Sequence, residues 1–339
     1  MSNTPFGYQD KILLTRVQVT DLLHLAARRG VAPDKLLSGT AIFQSDLHKP
    51  QHRIHSSAWL KFIQQCQQLP SPELPFLTAS ALLQNTEIPL CSLLQHAGNL
   101  QQALKYLLYF RHQLAPYLFV RLQQHPGHLS IELRPAIGLG AQQQFVCEIW
   151  LSLILQLIKQ QLGSTAGCKV YLRWPAPKTA TAYQALWPAE VFYQQDCTAI
   201  QIDKGCWLQR FKNAEPVQFN RALQNCRQQN LLLAKQPGVL EFAWRKLSKS
   251  LPVLLKQEQL AQEFGISVSA LKRLLQQHQS SYSQLLDEVR NQLALSLLNQ
   301  QDLSNRQLAL RLGYSDEHNF RRAFKRWTGA IPSAFRLLS

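Results

Sequence analysis

Leu260-Ala261, Gly265 and Ser267 recur as Leu308-Ala309, Gly313 and Ser315, each displaced by 48 residues. Behind each serine lies a stretch with two faces. In Val268–Gln277, Leu271, Leu274 and Leu275 share one side, leaving Ser269, Lys272, Arg273 and Gln276 outward. In Asp316–Trp327, Phe320, Ala323, Phe324 and Trp327 form the apolar stripe, opposite Glu317, His318, Arg321, Arg322 and Lys325. Arg and Lys bond phosphates or guanine edges, and Gln, His and Glu reach other base edges. One such helix alone reads as a solvated charged face. Two copies at a fixed spacing, each with a basic outward side, point to nucleic acid.

The elements that must position these side chains follow from the repeated residues. Each copy reads as a short amphipathic helix, a turn opened by Gly, and a second helix capped by Ser. Ala lets the two helices cross closely, Gly takes the positive φ that ends the first, and Ser caps the amides of the second. This is the grammar of a helix-turn-helix, whose second helix enters the major groove. The two units fall at about 257–278 and 305–328. Between them Tyr282–Asn299 reads as an amphipathic linker helix, roughly 27 Å long at 1.5 Å per residue. A spacer of that size sets two recognition helices about one DNA turn, near 34 Å, apart. The expected partner is double-stranded DNA, read at two adjacent major-groove segments.

Other groupings invite chemistry and are read as structural. Asp46, His48, His52 and His55 cluster, but Pro50 interrupts them and no metal-ligand spacing is matched, so no metal is expected. His125 and His128 flank a tight turn. Cys147-Glu148 lies on a strongly apolar stretch and reads as buried packing. With no phosphate loop, nucleophile elbow or supported carboxylate pair, neither catalytic residues nor a cofactor are expected.

The chain has 339 residues, enough for two domains, and 36 Lys+Arg against 20 Asp+Glu give a net charge of +16. Charged residues make up only 17%, and 42 glutamines supply much of the missing polarity. The excess arises from scarce acids and favours an anionic partner. Residues 1–235 carry 22 bases and 12 acids, residues 236–339 carry 14 and 8, so bulk charge does not locate that partner. Seven cysteines without a C-x-x-C pair read as reduced thiols. Phe145–Ile158 is interrupted by Glu148, Ser152 and Gln156, so no membrane span is expected, and Met1–Asp10 lacks the layout of a signal peptide.

Residues 11–110 read as mostly helical, with helices over Val17–Arg29, Ser57–Leu69 and Asn99–Leu114. Tyr117–Leu122 and Leu129–Leu133 read as a hairpin around a type II turn at Pro126-Gly127. A helix over Gln142–Leu162 and strands at Cys168–Trp174, Val191–Tyr193 and Ala199–Ile202 follow. The expected fold is an α+β N-terminal domain followed by an all-α C-terminal domain with two helix-turn-helix units joined by a linker helix. Its expected boundaries are 1–212, a partly helical connector at 213–237, and 238–339.

Leu312-Gly313-Tyr314-Ser315-Asp316, Phe320–Gly329, Ile331-Pro332 and Phe335-Arg336 resemble the signature of the AraC/XylS transcriptional regulators. Leu285–Arg290, Ala294 and Leu297-Leu298 resemble the family's linker helix. The resemblance covers about residues 238–339. It implies seven helices, with base or backbone contacts at Ser269, Lys272, Arg273, Glu317, His318, Arg321 and Arg322. Two positions depart from the pattern: Gln279 where Gly is usual after the first recognition helix, and Asn305 where an apolar residue is common. Glu317 is expected to cap its helix rather than read a cytosine amino group. Residues 12–210 resemble more loosely the arabinose-binding-type effector domain of one subgroup, through Leu22–Val31, Leu36-Leu37, Asn99–Leu104, Val170–Arg173, Tyr183, Trp187 and Val191-Phe192. Pro188 stands where Gly is common.

The resemblance implies a cytoplasmic, nucleoid-associated regulator responsive to a small-molecule effector of unknown identity. Activation, contact with RNA polymerase and a homodimer are further implications. The alternative is a basic small-molecule-binding protein or enzyme with an accessory DNA-binding tail, and a binder without sequence preference is a third reading.

Overall fold

The computed structural model describes residues 4–177, 186–233, 235–300 and 303–336, the last two residues of each of the final two segments by backbone only. Tyr183 and the side chains of Phe335 and Arg336 therefore lie outside the described residues. The chain divides into two compact units. The first spans Gly7–Pro135 and Leu139–Lys235. The second runs from Gln236 onward and includes Ala136–Gly138 and Phe6.

The first unit opens with β1 (Lys11–Leu14) and α1 (Thr15–Ala27), then α2 (Pro33–Leu37), α3 (Gln44–Leu47) and β2 (Arg53–His55), which pairs antiparallel with β1. These two strands were not expected in a helical reading. Four and three residues long, they are too short to show a period of two. Next come α4 (Ser56–Gln67), α5 (Leu74–Gln84), α6 (Pro89–Gln95) and α7 (Leu100–Tyr109). Asn99 caps α7, its side chain accepting the Gln102 amide at 2.9 Å.

A five-stranded sheet follows in the order β3 (Leu118–Gln124), β4 (His128–Pro135), β7 (Ala199–Asp203), β5 (Cys168–Tyr171), β6 (Glu190–Phe192), antiparallel except for β5 and β6. The β3–β4 hairpin forms where expected, but its turn is not type II. That turn requires a positive φ at Gly127, and Gly127 is not among the glycines that adopt one. The loop closes instead through the His125 amide, which donates to the His128 carbonyl at 2.9 Å.

Helix α8 (Gln143–Leu162) is the core of this unit, buried on nearly all sides and stopped by Gly163 at φ 79°. Two of its buried polar side chains are paired: Ser152 Oγ accepts Trp187 Nε1 at 2.7 Å, and Glu148 accepts Gln144 Nε2 at 2.9 Å. With the preceding turn it forms the apolar stretch Gly140–Leu162, 23 residues long, so a segment of membrane-spanning length exists where none was expected. Some 78% of its most apolar window is buried, as in a core helix. Burial pushes the Cys147 thiol up to about 12, which keeps it protonated. Residues 213–237, read as a connector, contain α9 (Pro216–Leu232). This helix buries Phe219, Ala222, Leu223 and Cys226 and packs on α6 within the first unit.

The second unit is helical throughout its described residues: α10 (Val239–Ser250), α11 (Gln257–Phe264), α12 (Val268–Gln277), α13 (Tyr282–Gln300), α14 (Asn305–Arg311), α15 (Glu317–Thr328) and α16 (Pro332–Arg336). It holds two small cores. One joins α10, α11, α12 and the first half of α13 through Leu247, Leu260, Leu271, Leu275 and Val289. The other joins the second half of α13 to α14 and α15 through Ala294, Leu308, Leu312, Phe320 and Phe324. Helix α13 is thus common to both.

Candidate nucleic-acid interface

The two turns form as the repeated residues require. Gly265 and Gly313 adopt φ of 68° and 72°, ending α11 and α14 in the left-handed region that glycine enters without strain. Ala261 and Ala309 are 0% and 1% exposed, one in each of the two small cores.

The caps differ between the copies. Ser267 caps α12, its Oγ accepting the Ala270 amide at 3.2 Å. Ser315 does not cap α15. Asp316 does, with Oδ1 accepting the Asn319 amide at 2.7 Å, while Ser315 Oγ donates to Asp316 Oδ2 at 3.1 Å. The Asn319 amide bond is the main reason the Asp316 carboxyl is held below its usual range. Nor does Glu317 supply the cap. It sits in the first turn, half-buried, and accepts Asn305 Nδ2 at 3.2 Å. Asn305, the unusual polar residue at the start of α14, therefore has a partner in the recognition helix.

The outward residues are where the pattern placed them. Ser269, Lys272, Arg273 and Gln276 on α12 are exposed beside buried Leu271 and Leu275. On α15, His318, Arg321, Arg322 and Lys325 are exposed beside buried Phe320, Ala323 and Phe324. No described residue forms an ion pair with Lys272, Arg273, Arg321, Arg322 or Lys325. Arg326, one position further, does have a partner: it reaches Asp287 of α13 at 2.7 Å. The free cations thus lie on the outward faces, and the engaged one fastens α15 to the linker.

Two residues were given no role from sequence. Arg290 of α13 donates from Nε to the Leu312 carbonyl at 2.9 Å and from Nη2 to the Gly313 carbonyl at 3.1 Å. Its guanidinium carbon lies 4.1 Å from the centre of the Tyr314 ring. One side chain thus holds the turn of the second unit against the linker helix. His278, just past α12, is 2% exposed, and its Nδ1 accepts the Gly138 amide at 3.1 Å. Burial pushes its pKa down to about 4. Gln279 follows at φ 56°, taking the left-handed conformation for which glycine is the ordinary choice.

The histidine cluster near the N-terminus is tied into the fold. Asp46 accepts from Lys49 at 2.9 Å, His52 Nδ1 meets Thr15 Oγ1 at 2.8 Å, and His55 Nδ1 meets the Gln9 carbonyl at 2.6 Å.

Residues 30–211, more than half of the chain, match the family described as the arabinose-binding domain of AraC transcription regulators. The chain belongs to the AraC-type transcription regulators. Residues 260–337 match the helix-turn-helix domain family, covering both repeated units. As an AraC-type regulator the chain is a DNA-binding transcription regulator with an arabinose-binding-type effector domain, not an enzyme with an accessory tail. The ornithine utilization regulator of Pseudomonas aeruginosa is 26% identical over 93% of this chain and 94% of that protein. The transcriptional regulator VqsM of the same organism is 24% identical over 62% of this chain and 65% of its own length. The crystal structure of the regulator CdpR, also from Pseudomonas aeruginosa, covers 93% of this chain and 96% of that one at 16% identity, with a TM-score of 0.43.

Proposed function

We propose that this AraC-type regulator binds a specific promoter sequence through two adjacent major-groove segments, one read by α12 and the other by α15. Ser269, Lys272, Arg273 and Gln276 face the first, and His318, Arg321, Arg322 and Lys325 the second. Glu317, held by Asn305, orients the start of α15. The observation that carries this reading is the pair of outward faces whose cations have no ion-pair partner among the described residues. The first unit holds a small-molecule effector that alters DNA affinity. Activation through RNA polymerase, action as a homodimer, and a cytoplasmic, nucleoid-associated location extend the same reading from the family.

The test uses the full chain and a duplex selected by it from a random pool. Arg273→Ala and Arg322→Ala are each expected to weaken binding to that duplex by roughly 1–3 kcal/mol, and to relax preference in different halves of the site. Selected and random duplexes bound with equal affinity would leave a binder without sequence preference. Equal weakening on every sequence would demote the two arginines to phosphate contacts.

A further inference from the structure

Strand β3 forms one edge of the five-stranded sheet and pairs with β4 alone. The bond from the His125 amide to the His128 carbonyl marks those residues as a hydrogen-bonded pair, and such pairs alternate along an antiparallel ladder. Arg121 and Gln123 therefore turn their backbone groups towards β4, whereas Val120, Leu122 and Gln124 turn theirs away from the sheet. No described residue takes the amide or the carbonyl of any of these three. The edge is closed at both ends. The Leu118 amide donates to the Ala115 carbonyl at 3.3 Å, the Leu118 carbonyl accepts Arg111 Nη1, and Pro126 has no amide to give.

An open edge is ordinarily blunted by a charge, a proline or a bulge. Here the outward positions are Val, Leu and Gln, and the pairing with β4 runs through all seven residues without a shift of register. Leu122 is 46% exposed, at the lip of an apolar groove lined also by Leu104, Leu108 and Trp207.

We infer that β3 pairs antiparallel with β3 of a second copy of this chain, about a two-fold axis at Leu122, joining the two sheets into one. In that register Leu122 faces Leu122 of the second copy, and Val120 faces Gln124. Every outward amide then meets an outward carbonyl, and the pairing stops where Leu118 is already engaged and Pro126 lacks an amide. Other registers do worse. An axis at Arg121 leaves Gln124 unpaired and sets two arginines directly opposite, which is repulsive. An axis at Gln123 sets Val120 against Pro126. Side chains two apart share a face, so Leu122 of the second copy also lies over the apolar groove. Such a contact is self-complementary and leaves no open β3 edge. The inference rests on the reading that the regulator acts as a homodimer, and deepens it by naming the contact.

The experiment is sedimentation equilibrium of the full chain without DNA, which is expected to show a reversible dimer. Leu122→Lys sets like charges across the axis, and Leu122→Pro removes an outward amide that the β4 ladder does not use. Each should raise the dimer dissociation constant at least about tenfold. Cross-linking tests the register. Leu122→Cys places two thiols on residues about 5.5 Å apart, so a short thiol cross-linker should join the copies above the background of the native chain. In Gln124→Cys the two positions lie about 14 Å apart, and it should not. A dimer unmoved by both Leu122 variants, or equal cross-linking through Leu122→Cys and Gln124→Cys, would overturn the strand pairing and leave the homodimer to another surface. A native chain that stays monomeric would overturn both readings and leave the edge to a foreign strand. If Leu122→Pro does not fold, Leu122→Lys and the cross-linking decide.

Discussion

His278 is the residue whose surroundings make the sharpest quantitative demand on the second unit. Its ring is buried, accepts the Gly138 amide through Nδ1, and has its pKa pushed down to about 4 by desolvation. An unfolded histidine titrates near 6.5. Between those values the unfolded chain binds more protons, so stability rises with pH. The contribution is fully present above about pH 6.5 and is lost as pH falls towards 4, by up to roughly 3 kcal/mol. Urea unfolding followed between pH 7 and pH 4 should show this slope, and His278→Gln should flatten it; an unchanged slope would remove His278 as its source. None of this was legible in the sequence, because the partner lies 140 residues away. Gly265 and Gly313 were legible, since a positive φ admits few alternatives. The cap of α15 was half legible: Ser315 and Asp316 are adjacent good caps, and the choice fell to the one whose carboxylate also accepts from the Asn319 side chain, at 2.6 Å.

Among the elements, α13 does more than separate two reading heads. It contributes apolar residues to both cores and presents Arg290 to the turn between α14 and α15. The long helices, α8 and α13 among them, were legible because apolar periodicity sums over many turns. The β1–β2 pair was not, because so few residues carry no period. The role of Arg290 was hidden for a different reason. Its sequence neighbours fix only that it lies on the linker helix, and its targets are backbone carbonyls, which any sequence provides. Arg290→Ala removes two charge-assisted hydrogen bonds and the contact with Tyr314. We expect a loss of about 2–3 kcal/mol in unfolding free energy, together with weaker DNA binding, because the turn orienting α15 loosens. Denaturant unfolding and duplex titration on the same variant check both. An unaltered midpoint would mean that the turn is held by its own glycine alone.

At the scale of the whole molecule, the connector expected at 213–237 becomes a packed helix of the first unit, and the second unit draws in Phe6 and Ala136–Gly138. Helix α10 starts at Val239, directly behind Gly238. The first amides of a helix have no partner within it, and Gly238 offers no side chain to cap them. The Ala136 carbonyl supplies the acceptor, taking the Leu240 amide at 2.9 Å and the Glu241 amide at 3.3 Å, while the Phe6 carbonyl takes the Val239 amide at 3.0 Å. So close an approach explains the glycine. Gly238 has an ordinary negative φ, and a Cβ there would lie 2.1 Å from the Ala136 oxygen and 2.6 Å from its carbon. Gly238→Ala therefore cannot be relieved by turning a side chain; one backbone must move, and the two amide bonds move with it. We expect a cost of about 1–3 kcal/mol from the clash, increased if either amide is left buried without an acceptor. The loss should appear as faster hydrogen exchange at the first amides of α10, with the amides of α8 keeping their protection. Unchanged exchange at Leu240 and Glu241 would show that the Ala136 carbonyl is not what holds the start of the DNA-binding unit.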